Sequence, residues 1–287
     1  MATSPAQEEQ QDPGKSKLRA AIKWIIYPLL ALNVGFYLDD ELLRVFQTSM
    51  SGSGFLDWTI QFVSSIETIA YVIVILMLEL GTRDGTGRRS TGWTTWANPL
   101  ARGVGYGLIA LTIVAYGASL ASYYRDVGKP DFDSLCDVAN KDFSFVDNLE
   151  YTRINVDNCT TLSDEADFVY IGEPSIVTTQ SGLGLERLLG WLDVIDAVAW
   201  AVLLVTIERV IYLQRRNEIG GRQMKPVYVI KTILYTATLL LAAVWAFLSH
   251  WLYTWDAVIW IAAFLIIEMN INRWRDEIRD KLGLVPV

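Results

Sequence analysis

Three stretches of the chain set a carboxylate, an aromatic ring one helical turn later and a glutamate eight residues beyond that into otherwise apolar sequence. The two closest copies read Trp191-Leu192-x3-Asp196-Ala197-Val198-x-Trp200-x7-Glu208 and Trp251-Leu252-x3-Asp256-Ala257-Val258-x-Trp260-x7-Glu268. A looser copy reads Phe62-Val63-x3-Glu67-x-Ile69-x-Tyr71-x7-Glu79. Each stretch has the roughly 20 residues that a helix needs to cross about 30 Å of hydrocarbon. Acids at that depth are costly, so a set that recurs at fixed spacing constrains both fold and role.

Apolar residues make up 52% of the chain. Apolar runs at residues 19–39, 58–80, 101–122, 188–213, 227–249 and 253–272 predict six spans. The fold class is therefore an all-α polytopic membrane protein: six transmembrane helices arranged as three hairpins, with the repeated stretches as the even-numbered helices. Ser249-His250-Trp251 joins the last two so tightly that they must run antiparallel. A soluble helical domain is a poor alternative, because the even-numbered spans are apolar on every face between their acids.

Basic residues orient the chain. Lys15, Lys17, Arg19 and Lys23 precede the first span; Arg83, Arg88, Arg89 and Arg102 separate the second from the third; Arg215, Arg216, Arg222 and Lys225 separate the fourth from the fifth. Arg273, Arg275, Arg279 and Lys281 follow the sixth. The positive-inside rule then places both termini in the cytoplasm of a cell whose plasma (inner) membrane holds the protein. The expected partition is a disordered tail over residues 1–18, helices one to three over 19–122, an extracytoplasmic domain over 123–187, helices four to six over 188–272 and a cytoplasmic tail over 273–287. The polar leader is long and no small-residue cleavage site follows the first apolar run, so that span is expected to be retained rather than cut as a signal peptide.

The extracytoplasmic domain holds both cysteines, Cys136 and Cys159, which predicts a disulfide in an oxidising compartment. Its acidity accounts for the formal net charge of −8. Alternation in Phe143-Ser-Phe-Val, Tyr151-Thr-Arg-Ile-Asn-Val and Phe168-Val-Tyr-Ile predicts short strands, hence a small, partly β cap. Asp131, Asp133, Asp137 and Asp142 have some of the spacing of a calcium loop. Cys136 stands where that loop needs glycine, so solvated acidic surface is expected instead.

All three copies run inward from the outer face, so Glu67, Asp196 and Asp256 form an outer layer and Glu79, Glu208 and Glu268 an inner one. Twelve residues of helix separate the layers by about 18 Å and turn them by about 120°. Rings of acids suit a path for a cation or for protons. A structural role competes with that reading. Lys23, Arg102 and Lys231 lie near the inner ends of the odd-numbered spans, where pairs Lys23–Glu79, Arg102–Glu208 and Lys231–Glu268 fasten each hairpin. The glutamates need such partners, because the dipole of a helix opposes negative charge near its C-terminus.

Gly103-Val104-Gly105-Tyr106-Gly107 contains the letters of a potassium-channel filter. It opens the third span on the cytoplasmic side and runs into Leu108-Ile-Ala-Leu, so close helix packing through Gly103 and Gly107 is the expectation. His250 is the single histidine, which rules out paired-histidine haem ligation or a histidine metal cluster within one chain. No nucleophile with an evident base and no phosphate-binding loop stands out, so neither enzyme activity, a metal nor any other cofactor is expected. The expected partners are the lipid bilayer, a second copy or another membrane subunit, and an external protein at the acidic cap, with no nucleic acid. The function expected is of transport type, moving a cation or protons. The alternative is a noncatalytic sensor or assembly subunit whose cap binds a partner.

Overall fold

The computed structural model describes residues 13–48, 54–84, 92–139, 141–163, 167–215 and 224–281. Along the chain run α1 (Pro13–Gln47), α2 (Phe55–Gln61), α3 (Val63–Asp84), α4 (Gly92–Arg125), β1 (Val127–Gly128), a 3-10 turn (Leu135–Val138), β2 (Ser144–Asp147), β3 (Glu150–Arg153), β4 (Phe168–Ile171), β5 (Glu173–Thr179), α5 (Gln180–Arg215), α6 (Met224–Phe247) and α7 (Trp251–Lys281).

Among the described residues five helices are long and apolar enough to cross a membrane: α3 over Val63–Leu80, α4 over Trp96–Arg125, α5 over Gln180–Leu213, α6 over Lys225–Phe247 and α7 over Trp251–Glu268. The expected first span, residues 19–39, falls within α1. The side chains before Ile22 and that of Lys23 lie outside the described residues, as do the loops 85–91 and 216–223 that carry Arg88, Arg89, Arg216 and Arg222.

Neighbours follow chain order around the bundle. α1 packs on α3, α3 on α4, α4 on α5, α5 on α6 and α6 on α7, and α7 closes back onto α1. α3 and α5 also reach α7 across the middle. Half of Val63–Leu80 is buried inside the protein but only 17% of Lys225–Phe247. Helices apolar all round belong inside; α6 instead turns Ile233, Leu239 and Leu240 outward, an exposed apolar face suited to lipid.

The glycines of α4 pack differently from expectation. Nothing lies within 4 Å of a Cβ placed at Gly103 or Gly107, whereas one at Gly105 meets Val74 Cγ2 at 2.5 Å and the Ala70 carbonyl oxygen at 3.2 Å. Two residues along a helix turn the chain by about 200°, so the face that meets α3 is the one opposite to Gly103 and Gly107.

A break separates α2 from α3, and α1 holds both sides of it. Glu41 Oε1 accepts the Ser64 N–H at 2.7 Å and the Ser65 N–H at 3.3 Å. Arg44 Nη2 donates to the Gln61 and Ile60 carbonyls at 2.7 and 3.4 Å. An acid on a helix N-terminus and a base on a C-terminus each complement the backbone groups left unpaired there.

The segment between α4 and α5 folds as a five-stranded sheet of order β1-β4-β5-β2-β3. β2 and β3 form an antiparallel hairpin whose turn residues, Asn148 and Leu149, have φ of 52° and 60°. Positive φ at both positions is the twist that two-residue hairpins favour. The expected strands occur at β2, β3 and β4, and β5 adds a parallel partner to β2 that alternation did not reveal. Cys136 and Cys159 form a disulfide beside a small core of Leu135, Phe145, Ile154, Phe168 and Val177.

This cap is tied to one end of the bundle. Ser144 Oγ donates to the Gln47 carbonyl at 2.5 Å, Asn148 Nδ2 to the Leu248 carbonyl at 3.1 Å, and the Leu149 N–H to Glu186 Oε1 at 3.0 Å. The hairpin turn thus reaches both α5 and the α6–α7 corner. His250 Nε2 lies 3.2 Å from Asn148 Oδ1, against the rings of Trp245 and Tyr253. Burial pushes this imidazole below its usual pKa, against the opposing pull of Glu150 and Asp40.

Candidate functional site

Glu67, Asp196 and Asp256 come together. With Asp193 they line a chamber of about 30 Å³ between α3, α5 and α7, room for one or two waters. Neutral donors surround the acids. Tyr116 Oη from α4 donates to Glu67 Oε2 at 2.9 Å, and Asn33 Nδ2 from α1 donates to Asp256 Oδ1. Trp200 and Trp260, one turn after their acids, line the same chamber. Tyr71, the equivalent ring of the first copy, lines the chamber at 4% exposure and its hydroxyl has no hydrogen-bond partner among the described residues.

Toward the cap the chamber adjoins a vestibule of about 590 Å³ between the sheet and the helix ends. Ser64, Asp193 and Tyr253 line both spaces, and each stands three residues before the acid of its own copy. Tyr116 is the fourth shared residue. Matching positions of the three stretches therefore form the neck between vestibule and chamber.

Away from the cap the matching positions turn apolar. Tyr71, Trp200 and Trp260 floor the chamber, with Trp200 stacked on Phe264 at 5.6 Å and Tyr71 tilted against Trp260 at 5.6 Å. Beneath them, Ile75, Leu204 and Phe264, then Leu78, Ile207 and Ile267, are all 2% exposed or less and belong to one core cluster.

The inner glutamates lie beyond these layers. The Arg102 guanidinium pairs with the Glu208 carboxylate. Lys231 Nζ lies 2.8 Å from Glu268 Oε2, while Tyr235 Oη donates to Oε1 at 2.9 Å. Glu79 is 5% exposed on α3. Lys23, its expected partner, has a side chain outside the described residues.

Sequence reasoning missed Asp193, Tyr116, Asn33 and Arg44. Asp193 carried a signal, since it sits at a fixed offset in the motif where the other copies have Ser64 and Tyr253. The other three come from α1 and α4, whose sequences show no matching repeat. Among the described residues no three His, Cys, Asp or Glu side chains are placed to hold a metal ion. Comparison with protein-family models, with curated proteins and with solved structures returned no match.

Proposed function

We propose that the protein is a noncatalytic integral membrane protein of transport type that moves protons or a small cation by way of the Glu67–Asp193–Asp196–Asp256 chamber. The observation that carries this reading is the meeting of the motif acids from three helices in one chamber beside a vestibule under the cap. Ionisable groups at membrane depth mark ion pathways and proton relays. The donors around these acids are neutral side chains rather than bases, so their charge is left for a mobile cation to meet. Glu208 and Glu268 have bases of their own, which suits helix fastening rather than conduction. The basic residues flanking the spans support six spans in a plasma (inner) membrane, both termini in the cytoplasm and the cap outside.

The test is flux of protons and of alkali cations into liposomes for wild type, Glu67→Gln, Asp256→Asn and Glu268→Gln, with thermal stability recorded on the same samples. Wild type is expected to conduct, the first two variants to stay folded and lose flux, and Glu268→Gln to melt earlier. A silent wild type, or full flux in folded Glu67→Gln and Asp256→Asn, overturns the reading. The silent result favours the second reading, a sensor or assembly subunit, whose supporting observation is the vestibule beneath the disulfide-bonded cap.

A further inference from the structure

We propose that the vestibule is a binding site for a small primary or secondary amine in its protonated form. Its volume of about 590 Å³ falls within the roughly 300–1,000 Å³ of small-molecule pockets, far beyond what a bare ion needs. Among the described residues seven carboxylates and one guanidinium line it. That guanidinium belongs to Arg44, which is engaged with the carbonyls at the end of α2. A cation is therefore favoured over an anion or a zwitterion. Four tyrosines, Tyr116, Tyr123, Tyr151 and Tyr253, share the wall, and aromatic faces attract organic cations.

Glu186 supplies the more specific signal. It lines the vestibule, is 1% exposed, and spends Oε1 on the Leu149 N–H. Its Oε2 is buried with no hydrogen-bond partner among the described residues. An unpaired carboxylate oxygen is a costly thing to bury, and the group that relieves it must bring a hydrogen to donate. An ammonium with N–H does so, whereas a quaternary ammonium of the same charge cannot.

Calorimetric titration of the full chain in lipid nanodiscs at neutral pH tests the site. The probes are phenethylamine, its N,N,N-trimethyl derivative and 3-phenylpropionate. Saturable binding of phenethylamine is expected, at least tenfold weaker for the trimethyl probe, none for the carboxylate, and at least tenfold weaker for phenethylamine on Glu186→Gln. No saturable binding of phenethylamine, equal binding of the trimethyl probe, or unchanged affinity in Glu186→Gln overturns the proposal. Should Glu186→Gln not fold, the probe comparison on wild type decides alone. No gradient is involved, so a failure here leaves the transport reading standing, and absent flux leaves this site standing.

Discussion

Glu41 and Arg44, three residues apart on α1, satisfy opposite ends of one helix break: the carboxylate accepts the Ser64 and Ser65 N–H groups opening α3, and the guanidinium donates to the Ile60 and Gln61 carbonyls closing α2. No glycine or proline lies between Trp58 and Ser65, so the break has no helix-breaking residue of its own, and these side chains take up backbone groups on either side of it.

Glu41→Ala leaves two N–H groups without their acceptor. A lost hydrogen bond at a buried donor costs about 1–3 kcal/mol, so the midpoint of thermal unfolding in detergent is expected to fall. Glu41→Gln keeps an acceptor oxygen and is expected to fall less. Equal melting of wild type and Glu41→Ala means that the break holds itself.

Lys231→Met alone and Glu268→Met alone each strand one partner of a pair whose side chains are 17% and 16% exposed. Breaking a buried pair from one side costs about 3–5 kcal/mol, while removing both charges can approach neutrality. A double-mutant cycle read by thermal unfolding should therefore show the double variant more stable than either single one. Additive losses contradict this.

Gly105→Ala forces Val74 or the Ala70 backbone to give way, at an expected cost of about 1–3 kcal/mol. Gly103→Ala and Gly107→Ala meet open space and are expected to leave stability unchanged or slightly raised, since alanine favours helix by up to about 1 kcal/mol over glycine. Unfolding midpoints of the three variants separate the two faces of α4.

Removal of the disulfide as Cys136→Ser/Cys159→Ser opens a loop spanning 23 residues. On loop entropy alone that costs the cap about 3 kcal/mol. Hydrogen exchange is expected to rise in β2 to β4 and hardly at all in the buried middle of α3.

Stability should also respond to His250. Its folded pKa lies below the ordinary value of 6.5, so the unfolded chain binds more protons between the two. The contribution is fully present above about pH 6.5 and is lost as pH falls through the folded pKa. His250→Gln is expected to flatten that part of the stability profile relative to wild type. An equal fall in unfolding free energy from pH 7.5 to 5.5 for wild type and His250→Gln, each read from urea titrations, contradicts it.

The repeated acids were legible because lipid makes every charge stand out from its surroundings; Asp196 and Asp256 identify themselves by cost. Their neighbours were not. Tyr116 and Asn33 are ordinary residues of α4 and α1 until the bundle brings them to Glu67 and Asp256. Strand alternation exposed β2, β3 and β4, whereas β5 begins Glu173-Pro174 and β1 is two residues long, too little pattern to read. Gly105 was passed over for Gly103 and Gly107 because a four-residue spacing defines a face without telling which face meets a neighbour.

The apolar layers built from Ile75, Leu204, Phe264, Leu78, Ile207 and Ile267 act as an insulator. A voltage imposed across a membrane drops mainly over its least polarisable slab, and here that slab lies between the chamber acids and the Arg102–Glu208 and Lys231–Glu268 pairs. On the transport reading proposed above, a proton joining Asp196 from the vestibule crosses little of the field, and one passing from the chamber to the far end crosses most of it, about 2.3 kcal/mol for every 100 mV.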